Sequence, residues 1–266
     1  MVTTTPARLA AELIFEKYQS VKPFDRLPDN LFPKTLEEAY GIQRELHCML
    51  SSIWGPLAGY KLAYTTPVMQ ERAGLDHPVL GALFKKVISR SPVVLNYTEY
   101  VNLGIELEVG VTLGRDLPVS GAPYTREKVA EAVAEVATAF EIVDMRTPPD
   151  LTTEERTLFS VAVNILNSGI VLGDPITDWQ SKDLVNCKGV MTINHEHVGE
   201  GYGRDVMGHP FEPLVWLANE LAKHNHPLKA GDVVITGSLV PPTPLEFASE
   251  GRISIEGLGE AVVVVA

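Results

Sequence analysis

The sequence predicts an α+β chain, a mixed β-roll preceded by a helical N-terminal segment. Apolar residues recur at helical spacing through roughly the first 55 positions. From about Gly59 the texture changes to short strands divided by glycine and proline. These strands are irregularly spaced and lack strand–helix–strand alternation, which disfavours a doubly wound parallel sheet. The expected division is 1–75 for the helical segment and 76–266 for the β-roll.

The first helix is expected over residues 6–19, with Leu9, Leu13 and Ile14 on one face. Thr35 and Glu38 form a Thr-x-x-Glu capping box ahead of a second helix. There Ala39, Ile42, Leu46, Met49 and Leu50 recur at helical spacing opposite the charges. The Pro- and Asp-rich stretch KPFDRLPDNLFPK between them reads as a surface loop. GALFKKVIS, PVVLNY and GIELEVGVTLG are strand candidates. A helix is then expected from Arg126 to Thr138, with Thr125 as its N-cap. SGIVLG and KGVMTINHEHVG read as strands, and PLVWLANELAKH as a helix with Pro213 at its first position. GDVVITG follows, and RISIEGLGEAVVVV closes the chain as a hairpin turning at Gly257-Leu258-Gly259.

At 266 residues the chain suits one large domain or one domain with an appendage. Its 45% hydrophobic and 21% charged residues exclude a disordered or low-complexity protein. A net charge of −12 leaves no basic footprint for a phosphate backbone or an anionic membrane, so neither nucleic acid nor membrane is an expected partner. No apolar run approaches the roughly 20 residues that span a bilayer. The N-terminus lacks signal-peptide architecture, and Cys48 and Cys187 are too few for a disulfide framework. A reducing cytoplasm is the expected compartment.

Strict alternation in GIELEVGVTLG turns Ile105, Leu107, Val109, Val111 and Leu113 one way and Glu106 and Glu108 the other. The two glutamates stand about 6.6 Å apart along the strand. At an effective dielectric near 20 their repulsion is on the order of 2.5 kcal/mol, which a cation between them would remove. The same alternation also suits a solvated sheet face. Glu141, in AFEIVDMR with Asp144 and Arg146, offers a third carboxylate for an all-oxygen site suited to Mg²⁺ or Mn²⁺, or equally an ordinary corner with a surface ion pair. Lys61 in GYKLAYTTPVMQ either snorkels to water, the better reading of the residues alone, or faces an anionic site. Thr236, Gly237 and Ser238 end a strand in a turn able to present hydroxyl and N–H groups to a carboxylate. His195 and His197 lie at a hairpin tip and are too few for a metal site; His209 helps set up the helix after it. No GxSxG, P-loop or Rossmann glycine pattern is present.

Taken in order, AYGIQREL, GYKLAYTTPVMQ, GLDHPVLGALF, GIELEVGVTLG, AFEIVDMR, NSGIVLG, LVWLANELA, LKAGDVVITGS and IEGLGEAVVV resemble the fumarylacetoacetate hydrolase superfamily. Within it they are most similar to the branch of 2-keto-4-pentenoate hydratases and 4-oxalocrotonate decarboxylases. The resemblance implies a β-roll of the fumarylacetoacetate hydrolase C-terminal-domain type. It implies Mg²⁺ or Mn²⁺ held by Glu106, Glu108 and Glu141, an active-site lysine at Lys61, and a carboxylate-binding turn carrying Thr236 and Ser238. Asn164 and Arg146 complete the implied substrate-binding set, and Arg72 or Arg146 can meet a second carboxylate.

The implied reaction, in aromatic catabolism, is addition of water to a 2-hydroxy-2,4-dienoate to give a 4-hydroxy-2-oxo acid. Decarboxylation of a 4-oxalocrotonate-type acid is the alternative, and a non-catalytic 2-oxo acid-binding or partner-supporting role is the alternative of another class. A homo-oligomer is implied, and a complex with a pathway neighbour enzyme is a further expectation. Two departures from the branch stand out. Val79 occupies the P-D-x-G turn in place of an acidic residue, and the A-D-N-A-S stretch reads Ala162-Val163-Asn164-Ile165-Leu166.

Overall fold

The structure, a computed structural model, describes residues 5–266. Six helices occur among them: α1 (Pro6–Ser20), α2 (Leu36–Trp54), α3 (Pro67–Ala73), α4 (Arg126–Ala130), α5 (Thr153–Ala162) and α6 (Phe211–Lys223). Thr5 and Thr35 cap α1 and α2 through their hydroxyls, which accept from the N–H groups of Arg8 and Glu38 at 3.2 Å each. The Glu38 carboxylate accepts from Lys34 N–H at 2.7 Å rather than closing the box on Thr35. α2 buries the face expected of it. α1 does not: it buries Ala10, Ala11, Ile14 and Tyr18, while Leu9 and Leu13 are 42% exposed. Two successive alanines let the helix backbones approach closely, so the small face turns inward. α5 packs with α2 and shares its apolar core.

A seven-stranded sheet has the order β2 (Val79–Phe84), β1 (Leu57–Ala63), β10 (Val233–Pro244), β5 (Leu103–Leu113), β6 (Val133–Asp144), β7 (Asn167–Leu172) and β3 (Ile88–Arg90). A five-stranded sheet has the order β4 (Val93–Leu95), β12 (Gly259–Val265), β11 (Glu250–Ile255), β8 (Lys188–Ile193) and β9 (Glu196–Tyr202). Ile105, Leu107, Val109 and Val111 of β5, with Phe140 and Ile142 of β6, pack against Met191, Ile253 and Val263 of the second sheet. The glutamates of β5 therefore face away from that core, as the alternation requires. β1 falls inside the 1–75 division, at the point near Gly59 where the sequence turns to strands, and is the second strand of the large sheet.

Three other expectations are corrected. The helix expected over Arg126–Thr138 ends at Ala130, and β6 begins at Val133. Full antiparallel pairing with β5, a partner remote in sequence, overrides the helix-forming alanines and glutamates of AEAVAEVATA. α6 starts at Phe211, two residues before Pro213. Proline there still falls among the first four N–H positions, which have no intrahelical partner to lose. Thr236-Gly237-Ser238 lies within β10 rather than at a strand end. The closing hairpin turns at Gly257–Gly259 as expected, His195 sits in the turn between β8 and β9, and His209 Nδ1 accepts from Phe211 N–H at 2.9 Å. Among the described residues no helix is long and apolar enough to cross a membrane.

Candidate active site

Four adjacent strands bring the charged side chains together. Glu106 on β5 stands directly opposite Glu141 on β6, and Glu108 is paired with Ser238 on β10. Lys61 comes from β1, aligned with Ile235 of β10. One oxygen from each glutamate can be chosen so that all three lie within 4.8 Å of one another. Lys61 Nζ lies 3.0 Å from Glu141 Oε2. It does not snorkel, for Lys61, Glu108 and Glu141 are 3%, 1% and 0% exposed.

Three carboxylates and one ammonium carry a formal charge of −2. Burial, reinforced by Glu141, pushes the Glu106 carboxyl up to about 7 against the pull of Lys61. Burial and both neighbouring carboxylates push Glu108 upward as well. For Lys61 burial acts against the charge, yet the surrounding carboxylates outweigh it and hold the ammonium above its ordinary value. Glu141 Oε1 accepts from Asn167 Nδ2 at 2.9 Å, whereas its buried Oε2 has the Lys61 ammonium as its one polar neighbour. This donor set fits a divalent cation: it is all oxygen, it carries excess negative charge, and one oxygen from each carboxylate lies within ligating range of the others.

β10 bulges beside these groups. Ile235 pairs with Gly110 and Ser238 with Glu108, so β10 spends one extra residue there. The bulge turns Gly237 N–H onto Glu108 Oε2 at 2.6 Å. Gly237 has φ +120°, and a Cβ at that position would lie 2.0 Å from Thr65 Oγ1, so glycine is required twice over. Thr236 is buried and donates its hydroxyl to Val109 O at 3.2 Å. Ser238 donates to Val240 O and also steadies Glu106.

A cavity of about 340 Å³ opens onto this cluster, with Lys61, Glu106 and Ser238 in its wall. Two residues on from Glu141 the wall becomes Val143 and then Met145, joined by Ile165, Leu166, Leu239 and Pro241. Asp205 is the other charged residue in the wall. Ile165 and Leu166 reach the cavity because Asn164, Ile165 and Leu166 are left-handed in succession, at φ 58°, 53° and 60°. Such a run is strained and must be held from outside. Asn164 holds it: Oδ1 accepts from Ala82 N–H at 2.7 Å, and Nδ2 donates to Ala82 O at 3.1 Å. His47 Nε2 lies 2.8 Å from the same Oδ1. Burial pushes His47 down to about 4, so the ring is neutral at pH 7 and donates from Nε2.

Of the sequence-predicted residues, Lys61, Glu106, Glu108, Glu141 and Ser238 converge, with Thr236 supporting the bulge. Asn164 and Arg146 do not join them in the cavity wall. Asn164 is committed to β2 and α2. Arg146 donates from Nε to Asp144 at 2.6 Å and from Nη1 to Lys17 O at 3.0 Å, and its guanidinium lies over Tyr18 and Phe24. It lines a different cavity, of about 410 Å³, beneath α1 and α2. Arg146→Ala should lower the melting temperature by several degrees, because it leaves the buried Asp144 carboxylate without its cation and with only the Val101 and Asn102 N–H groups as partners. Substrate KM should stay within twofold; a tenfold rise in KM with unchanged melting would restore Arg146 to the substrate.

Val79 and Val163 are both fully buried in the apolar core of the helical layer. Neither lines the cavity. Thr65, Ser160 and Asn167 were not legible as site residues. Asn167 sits in the NSG stretch, whose polar residues before a glycine were the available signal.

The family model described as fumarylacetoacetate (FAA) hydrolase C-terminal matches residues 68–266, three quarters of the chain. The chain belongs to this family. This fumarylacetoacetate hydrolase family member is 32% identical to a 2-hydroxyhexa-2,4-dienoate hydratase of Comamonas testosteroni, covering 92% of each chain. It is 28% identical to a 2-keto-4-pentenoate hydratase of Paraburkholderia xenovorans, over 94% of this chain and 91% of that one. A 4-oxalocrotonate decarboxylase from Pseudomonas putida G7, solved with magnesium and adipate, superimposes with a TM-score of 0.89 at 23% identity, over 100% of this chain and 99% of that one. The fold and family expected from the sequence hold, and the chain is an enzyme with hydratases as its relatives.

Proposed function

We propose that this enzyme is a divalent-metal-dependent hydratase acting on 2-hydroxy-2,4-dienoates that carry no second carboxylate. One observation carries the reading: the charged groups gather where Lys61 meets the three glutamates that would hold the ion, and the cavity wall is apolar toward Met145 and Leu166. A distal carboxylate would meet aliphatic side chains and Asp205, so a 4-oxalocrotonate-type diacid is opposed by desolvation and by like charge.

Glu106, Glu108 and Glu141 would hold Mg²⁺ or Mn²⁺, which supplies Lewis acidity to the 2-oxo group. Lys61, kept as an ammonium by its carboxylate neighbours, stands beside the oxygen on which negative charge develops. Ser238 and the bulge fix the acid end. The aliphatic wall excludes bulk water and seats C5 and its substituent. Protonation at C5 of the dienol gives the conjugated 2-oxo-3-enoate. Water then forms its bond at C4 while a proton reaches C3, and the product gains one water in total.

The test is incubation of 2-hydroxypenta-2,4-dienoate and 2-hydroxyhexa-2,4-dienoate with the enzyme and Mg²⁺ or Mn²⁺, read by dienol absorbance and product mass. A gain of one water, abolished by chelator, is expected. CO₂ release from 2-hydroxyhexa-2,4-dienedioate in place of hydration would establish the decarboxylase instead. Lys61→Met should lower kcat by 10²–10³-fold, on the scale of losing one preorganised charge donor. Calorimetric Mg²⁺ affinity should be retained in that variant; unchanged turnover would remove Lys61 from the reaction.

A further inference from the structure

Water addition at C4 calls for a polar group toward the apolar end of the cavity, to hold the water and then the hydroxyl that it becomes. Val79 and Val163 are in the helical core and do not provide one. We propose that Ser160 is that group, its hydroxyl contacting the oxygen that bonds to C4; this rests on the hydratase reading above. Ser160 is 7% exposed and lines the same cavity as Lys61 and Glu106.

Of the other hydroxyls lining the cavity, that of the half-buried Tyr64, three residues beyond Lys61, also makes no side-chain hydrogen bond among the described residues; the rest are accounted for. Thr66 Oγ1 accepts from Met69 N–H as the cap of α3. Ser238 and Thr236 donate to backbone carbonyls. Thr65 packs against Gly237, beside the Glu108 carboxylate, and so belongs to the acid end. Ser160 makes no side-chain hydrogen bond among the described residues. Serine within a helix ordinarily bonds back to the carbonyl four residues earlier, as Thr157 on the same helix does to Thr153 O at 3.2 Å. Ser160 forgoes that bond, leaving a nearly buried hydroxyl in a cavity wall.

Its helix, α5, feeds directly into the left-handed turn that carries Ile165 and Leu166. The next residue, Asn167, pairs with Val143, which places the turn beside the apolar stretch beyond Glu141. A hydroxyl both donates and accepts, so Ser160 can orient a water before attack and the C4 hydroxyl afterwards without changing its own protonation. As the oxygen bonds to C4, one water proton is released and one proton is taken up at C3. Ser160 is neutral throughout.

The experiment is calorimetry on the Mg²⁺-loaded enzyme with 2-oxopentanoate and 4-hydroxy-2-oxopentanoate, which differ only in the C4 hydroxyl. The wild type should bind the hydroxylated acid about three- to tenfold more tightly, the span expected for one neutral hydrogen bond. Ser160→Ala should abolish this preference and leave 2-oxopentanoate affinity unchanged, while Ser160→Thr should retain it. If the alanine variant fails to fold, Ser160→Cys, nearly isosteric and a poor hydrogen-bonding partner, is read in its place. A preference that survives loss of the hydroxyl, or none in the wild type, overturns the assignment. Failure of the wild type to bind either acid overturns the hydratase reading and this inference with it.

Discussion

Glu141→Ala should reduce kcat/KM by at least a thousandfold and destabilise the chain at the same time. Glu141 is the centre of the cluster: fully buried, 3.0 Å from Lys61 Nζ, and the acceptor for Asn167 Nδ2. Its loss leaves a buried ammonium without its nearest partner, a kind of change that costs about 3–5 kcal/mol. Relief of repulsion with Glu106 and Glu108 offsets part of this, so about 2–3 kcal/mol of net destabilisation is expected. For a chain of this size that corresponds to a fall of roughly 5–10 °C in melting temperature. Glu141→Gln keeps the shape and an acceptor for Asn167, and should melt closer to the wild type. Both variants remove the charge needed at the third ligand position, so calorimetric Mg²⁺ or Mn²⁺ binding should weaken by two orders of magnitude or more. Metal binding of wild-type affinity in the glutamine variant would show that Glu106 and Glu108 suffice, and would break the three-carboxylate site.

The same cluster shows what a linear sequence discloses. Glu106 and Glu108 share a face because strand periodicity is two, and that much is readable from the letters. Their meeting with Glu141 depends on the β5–β6 register, a property of pairing between segments remote in sequence. Residues 126–138 read as one helix because alanine and glutamate dominate locally; only the β5 partner makes Val133–Asp144 a strand. α5 is legible in part, because Thr152 and Glu155 form a complete capping box at its start. Asn164 and Arg146 stand outside the cavity wall for a different reason. Each is polar and near the site in sequence, but its partners are Ala82 and His47 in one case, and Lys17, Tyr18 and Phe24 in the other. Those partners are set by how the helical layer lies on the sheet. The β10 bulge and the left-handed turn, which shape the cavity, are backbone features that residue identity hints at only through Gly237.

The pH dependence of metal-linked stability should be the other large effect. In chelated protein the Glu106 carboxyl is held at about 7 against an ordinary 4.5, so the folded state binds this proton more tightly than the unfolded chain. Stability from this group is fully present below about pH 4.5 and is lost as pH rises through about 7. Glu108 acts in the same direction. His47 and His209 oppose it: burial depresses each to about 4, so their contribution is present above the ordinary value of 6.5 and lost as pH falls through about 4. Melting of chelated protein alone therefore mixes two opposite slopes. The difference between metal-loaded and chelated melting temperatures separates them, because both histidines contribute to each arm while the carboxyl protons compete only with the ion. That difference should be small near pH 5 and grow as pH rises through 7. At a free ion concentration a thousand times Kd the added stability is about 4 kcal/mol, or roughly 8–16 °C for a chain of this size. A difference that stays flat from pH 5 to pH 8 would mean that ion binding displaces no proton, and the carboxylates would then not be the ligands. In Glu106→Gln the pH dependence should shrink with the affinity, since one of the two competing protons is gone and that of Glu108 remains.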